Sequence, residues 1–162
     1  MKFQPAKFKV AIPVTAGLFV LVLVFALILR SSLRSPHALD PADYTESVPD
    51  GFVYECAVSV DGDALILQGF ACVRDEKVSD IDCYAVLYDA GSESYLRLAT
   101  QMVASEQYRN AAGDGLNQMF SGFYAFVDTN RLTQSAYELC FAYRSGEHNA
   151  LIHTGQTVEV VS

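Results

Sequence analysis

The chain has no tryptophan, only three histidines, and only seven basic residues beyond Arg30 in a sequence of 162 residues. Each shortage narrows the function. Without an indole, a sugar site would have to stack on tyrosine or phenylalanine. With His37, His148 and His153 as the only imidazoles, acid–base chemistry has few places to sit. No G-x-S-x-G elbow and no H-E-x-x-H pair occurs, which removes the serine-hydrolase and zinc-protease signatures. No C-x-x-C or H-x-x-x-H occurs, so a tight structural zinc pattern is absent. None of Asn110, Asn117, Asn130 and Asn149 opens an N-x-[ST] sequon, so there is no sign of glycosylated secretion. Residues 31–162 hold all 19 acidic residues and carry a net charge of −12, against +4 for residues 1–30. A domain that acidic repels phosphate backbones and anionic headgroups, which excludes nucleic acid as a partner.

What the sequence does have is a long apolar run. Val10 to Leu29 is 20 residues without a charge. At 1.5 Å per residue, ~20 apolar residues cross a ~30 Å hydrocarbon layer. Pro13 falls in the first turn, where a missing N–H costs little. A cleavable signal peptide would have a core of ~7–15 residues and a small-residue cleavage site, whereas this run ends in Leu29-Arg30-Ser31-Ser32. Residues 1–9 therefore read as a short basic cytoplasmic tail and 10–30 as an uncleaved anchor in a lipid bilayer. Lys2, Lys7 and Lys9 outnumber Arg30 and Arg34, which favours an N-terminus in the cytoplasm and a domain outside it.

Residues 31–51 hold three of the five prolines and few large apolar residues, the composition of a tether. From 52 to 162 the pattern becomes short β-branched and aromatic runs between turn signals. Strands are expected at Phe52–Val60, Ala64–Val73, Ile81–Tyr88, Tyr95–Val103, Phe120–Val127, Ala136–Tyr143 and Leu151–Val160, the last interrupted at Gly155. Only Ser105–Ala112 has room for a short helix. The expected fold is all-β: an immunoglobulin-like β-sandwich of about seven strands, preceded by one transmembrane helix.

All four cysteines, Cys56, Cys72, Cys83 and Cys140, lie in this domain. Four cysteines allow three connectivities. The preferred one joins Cys56 to Cys72 across the first hairpin and Cys83 to Cys140 between neighbouring strands. Disulfides need an oxidising compartment, which agrees with the orientation read from charge. Free cysteines packed as small hydrophobes are the alternative.

Chemistry is sparse. His148 lies in an expected turn, where solvation is its ordinary state. Acidic residues cluster at turns and strand ends, and Asp61, Asp63, Asp75, Asp80 and Asp82 are weak calcium candidates that lack the full D-x-D-x-D-G loop. No catalytic residue and no cofactor is assigned. The better candidate is a binding face. Tyr84 and Tyr88 alternate on one strand, and Tyr95 and Tyr124 are expected to join them, offering large contact area at little entropic cost.

Gly69-Phe70-Ala71, Tyr84-Ala85-Val86-Leu87, Arg109, Ser121-Gly122-Phe123 and Tyr137-Glu138-Leu139 occur in an order that resembles the immunoglobulin-like accessory domains beside Gram-positive glycosyltransferases and other cell-surface polysaccharide proteins. The likeness covers about residues 64–145. Phe70 stands where such domains often have tryptophan, and Asn110 follows Arg109 where aspartate is usual. The resemblance implies a non-catalytic accessory or recognition module in cell-envelope assembly, with a glycan or an envelope protein as partner. The alternative is a structural subunit of a larger membrane complex, and an envelope hydrolase ranks last. The residues themselves suggest architecture. Gly69 would let a large ring turn into the core through a bulge or close backbone approach, Gly122 likewise, and Tyr137 fits a tyrosine corner.

Overall fold

The structure is a computed structural model that describes residues 5–76, 82–146 and 148–160. The chain divides into two units, Met1–Leu33 and Arg34–Ser162. The described part of the first is helical. Helix α1 runs Pro5–Arg34 and contains the 22-residue span Pro13–Arg34, whose apolar 18-residue stretch has a mean hydropathy of 2.4 and is not buried. It is long and apolar enough to cross a membrane. It continues four residues beyond Arg30, because Ser31, Ser32 and Leu33 carry no helix breaker before Pro36.

The second unit is all-β. Its strands are β1 (His37–Leu39), β2 (Phe52–Asp61), β3 (Ala64–Val73), β4 (Asp82–Asp89), β5 (Ser94–Arg97), β6 (Ala99–Val103), β7 (Gly122–Asp128), β8 (Ala136–Arg144) and β9 (Asn149–Glu159). A five-stranded sheet runs β1-β5-β4-β8-β9 and a four-stranded sheet β2-β3-β7-β6, with every pairing antiparallel. Setting β1 aside, β2-β3-β7-β6 is the A-B-E-D order of an immunoglobulin sheet, and β4-β8-β9 is its C-F-G partner. The expected sandwich is therefore what forms.

The alternation within the strands builds the core. Leu65, Leu67, Ala71 and Val73 of β3 and Phe123, Ala125 and Val127 of β7 face Ala85, Leu87, Leu139, Phe141 and Tyr143 across the inter-sheet space. Rings close it: Phe123 meets Phe141 edge-on at 5.2 Å, and Phe52 meets Tyr143 at 5.5 Å. Such pairs add ~0.5–1.5 kcal/mol each beyond their buried area. The Tyr137 hydroxyl accepts the backbone N–H groups of Thr133 and Gln134, both at 3.0 Å, so the expected tyrosine corner is present.

The structure departs from several expectations. The run Tyr95–Val103 is two strands in different sheets. The chain changes sheet at buried Leu98, whose N–H donates to Ala85 O, while the Thr100 hydroxyl takes over as acceptor for Ala85 N–H at 3.1 Å. The start of the expected strand at Ile81 lies outside the described residues, and Ser105–Ala112, which had room for a short helix, holds a single 3-10 turn, Glu106–Tyr108.

The 31–51 segment is more than a tether. β1 pairs with β5, Tyr44 packs on the outer face of the five-stranded sheet, and Glu46 bridges Ala150 of β9. The segment thus crosses that face as a strap. Asn149 anchors its far end, donating through Nδ2 to Asp43 O at 2.8 Å and through its backbone to Glu46 at 2.8 Å.

Gly69 is a close approach, as read, with no bulge in the β2–β3 register. A Cβ there would sit 1.8 Å from Glu55 O. Phe70, however, does not enter the core. It lies on the outer face of the four-stranded sheet, 5.4 Å from the Tyr108 ring. Phe123 does enter the core after Gly122, as expected.

The disulfides are absent, and all four cysteines are free thiols. The register explains why. Cys72 lies opposite Val53 rather than Cys56, and Cys83 lies opposite Tyr143 while Cys140 lies opposite Val86. In each preferred pair the offset is three residues, an odd number, which places the two side chains on opposite faces of their sheet. Cys56 and Cys83 face the core. Cys72 lies on the outer face of one sheet and Cys140 on the outer face of the other. No connectivity that uses all four can close in this fold.

Candidate functional site

The outer face of the five-stranded sheet carries the densest functional chemistry among the described residues. Its buried floor is Val86, Cys140 and Ala142, and Leu39, Tyr44, Tyr84, Tyr88, Tyr95 and Leu151 pack over it. Tyr88 and Tyr95 are direct cross-strand partners on β4 and β5, and their rings stack with centroids 4.6 Å apart. The His153 ring, exposed on β9, stands edge-on to both at 5.1 and 5.7 Å. Arg97 covers the Tyr84 ring at 4.8 Å and Arg144 covers Tyr44 at the same distance, so those two rings are already occupied by guanidinium groups.

Three of the four tyrosines expected to form a face are thus brought together: Tyr84, Tyr88 and Tyr95. Tyr124 is not. It projects from β7 on the far side of the sandwich, beside Phe126 at 6.1 Å. Alternation along one strand can be read from sequence, but which sheet a strand joins is a matter of topology.

Beneath the rings lies a group that the sequence reading did not assemble. Cys140 and His153 are direct partners on β8 and β9, with Sγ and Nδ1 3.5 Å apart. Glu138, two residues earlier on the same face, brings Oε2 to 3.1 Å from the same Nδ1. The ligand atoms of all three lie within 4.8 Å of one another. The Tyr95 hydroxyl meets the other ring nitrogen, Nε2, at 3.2 Å. Burial pushes the Cys140 thiol up to about 12, with the Glu138 charge adding to the effect. The hairpin register was the signal that could have found the pair. Counted outward from Arg144 and Asn149, which face each other beside the turn, Cys140 and His153 each lie four residues along.

His148 is not the solvated turn residue expected. Its Nε2 bonds to Glu76, and its Nδ1 lies 3.8 Å from Glu46. It lines an open cleft of about 480 Å³ with Glu46, Ser47, Val48, Pro49 and Asp50. Both ring nitrogens thus face carboxylates. The cluster ties the strap and the segment after β3 to the start of β9.

Among the described residues the calcium candidates do not gather into one group. Asp61 and Asp63 flank the β2–β3 turn, Asp75 follows the opposite end of β3, and Asp82 opens β4. Asp75 gives its backbone N–H to Asp114. Asp80 lies outside the described residues, and among those described the only His, Cys and acid group close enough to share an ion is Glu138, Cys140 and His153.

Comparison with protein-family models, with curated proteins and with solved structures found no match.

Proposed function

We propose that the protein is a single-pass membrane protein that displays its β-sandwich outside the cytoplasm as a non-catalytic recognition module of cell-envelope assembly. The outer face of the five-stranded sheet is its binding surface. The observation that carries this reading is the Tyr88–Tyr95 stack, two half-exposed rings held rigid by direct cross-strand pairing. Fixed aromatic rings give contact area with little entropy left to lose, which suits a sugar ring or a protein side chain. The apolar helix supports membrane anchorage. With four free thiols, the cysteines no longer bear on the compartment, and the orientation rests on the charge asymmetry around the helix. The acidic domain supports a partner other than nucleic acid or anionic lipid.

The test is affinity purification of the detergent-solubilised full-length protein from its own cell, with mass spectrometry of what accompanies it. Envelope-biosynthesis proteins are expected in the wild type and are expected to be depleted in Tyr88→Ala/Tyr95→Ala. Partners retained by that variant would move the binding surface elsewhere. A chain recovered without partners and without bound glycan would end the recognition reading. Protease added outside the cell is expected to remove the domain. Protection of the domain until the membrane is breached would reverse the orientation.

A further inference from the structure

We propose that Glu138, Cys140 and His153 form a binding site for a single divalent metal of the zinc class. The site goes beyond the recognition reading and does not depend on any partner. It has all three ligand types that zinc accepts: thiolate sulfur, imidazole nitrogen and carboxylate oxygen. Two of its three ligand spacings match as well, and all three atoms lie within 4.8 Å of one another. A tetrahedral zinc with Zn–S of ~2.3 Å and Zn–N of ~2.05 Å separates those two ligand atoms by about 3.6 Å. The Cys140 Sγ to His153 Nδ1 distance is 3.5 Å. The Nδ1 to Glu138 Oε2 distance, 3.1 Å, needs only a few tenths of an ångström of opening to match.

The backbone holds the three in place. Between the pairs Glu138–Thr157 and Cys140–His153, β8 has only Leu139 whereas β9 has Thr154, Gly155 and Gln156. The two extra residues form a bulge, with Gly155 at a φ of +71°. The bulge gives Glu138 Oε1 the Gly155 N–H at 3.0 Å, leaving Oε2 to face the imidazole. It is pinned in turn by the Thr154 hydroxyl on Leu139 O at 2.6 Å. Bulges of this kind re-aim side chains beside functional sites. On the other side of the ring, the Tyr95 hydroxyl meets Nε2. A hydroxyl both donates and accepts, so it can hold the ring whether the proton lies on Nδ1, where it serves Glu138, or on Nε2, where it frees Nδ1 for a metal.

Metal binding replaces the Cys140 S–H bond with a sulfur–metal bond and releases that proton to solvent. Three protein ligands leave a fourth tetrahedral position. Cys140 forms the buried side, and His153 and Glu138, 43% and 29% exposed, leave the solvent side for it. Calcium and magnesium, which prefer oxygen donors alone, are not expected to compete.

The test uses the full-length protein in detergent, reduced and stripped of metal, titrated with Zn²⁺ alone and, for spectroscopy, with Co²⁺ alone. One equivalent of Zn²⁺ is expected, with Co²⁺ giving a thiolate-to-metal charge-transfer band in the near ultraviolet. Cys140→Ser keeps the side-chain size and is expected to abolish the band. His153→Ala, at an exposed position, is expected to weaken Zn²⁺ binding by more than roughly a hundredfold, and Tyr95→Phe by roughly tenfold. Circular dichroism of each variant confirms that the domain is folded. Absence of a stoichiometric Zn²⁺ site in the folded wild type would overturn the proposal. So would a charge-transfer band that survives Cys140→Ser, since another of the four thiols would then be the ligand.

Discussion

Tyr137 and Cys140 lie three residues apart on β8 and point to opposite faces of the sheet. Tyr137 is 3% exposed in the inter-sheet core, and Cys140 lies in the outer cluster with Val86 and Ala142. In immunoglobulin domains with the inter-sheet disulfide, the second cysteine follows the corner tyrosine by two residues and so points inward. Here the inward position is taken by Leu139, fully buried. One residue of spacing thus converts a disulfide position into a position on the outer face, opposite His153.

Because the cysteines occupy different layers, four free thiols are expected after denaturation without reductant, counted by mass shift on alkylation. Cys72, Cys83 and Cys140 are buried in the folded state. Burial pushes the Cys72 thiol up to about 11 and that of Cys140 to about 12, so near pH 8 these thiols stay protonated and native alkylation is slow. The rate rises with pH as the thiolate forms. Fewer than four reactive thiols would show a disulfide and require a different register.

Tyr137→Phe keeps the ring in the core and removes the acceptor for two backbone N–H groups, those of Thr133 and Gln134. A loss of ~0.5–1.5 kcal/mol is expected, the net worth of hydrogen bonds whose donors sit in an exposed turn. Denaturant titration of the full chain in detergent measures it, and an unchanged midpoint would mean that water replaces the hydroxyl.

Gly69→Ala places a methyl 1.8 Å from Glu55 O and 2.7 Å from its carbonyl carbon. Main chain cannot yield as a flexible side chain would, so β2 must move away from β3. The loss is expected at or above the upper end of the ~1–3 kcal/mol typical of overpacking. Hydrogen exchange is expected to show β2 losing protection before β3, because β2 is an edge strand with no second neighbour.

Asp114 holds the loop between β6 and β7. Its carboxylate accepts Asp75 N–H and Leu116 N–H, each at 2.8 Å, and the Gln118 amide at 2.9 Å. The hydrogen bond from Asp75, with those from Gln118 and Leu116, lowers its pKa below the usual carboxylate value. A lowered native pKa means that its contribution is fully present above about pH 4 and fades as pH falls through the native value. Asp114→Asn is therefore expected to lower the melting temperature at neutral pH, with the gap to wild type closing in acid. A gap that stays constant with pH would show that the charge plays no part.

Much of the fold was legible because strand alternation and turn residues are local properties. Ala64–Val73 forms a strand with the expected ends, and the inward set Leu65, Leu67, Ala71 and Val73 follows from period two. Tyr137 was legible because a tyrosine corner acts within four residues of chain. The apolar helix was legible because length and composition alone meet the membrane requirement.

Registers and sheet assignments are not local. The sequence by itself determined a helix able to cross a membrane, an acidic all-β domain and the approximate strands, since these depend on neighbours a few residues apart. Only the tertiary structure decided which face each cysteine occupies, that Tyr124 leaves the tyrosine face, that the 31–51 segment straps the sheet, and that Glu138, Cys140 and His153 meet. The physical reason is the two-residue period of a strand. A one-residue change in spacing leaves composition and hydropathy almost unchanged, yet it sends a side chain to the opposite side of the sheet.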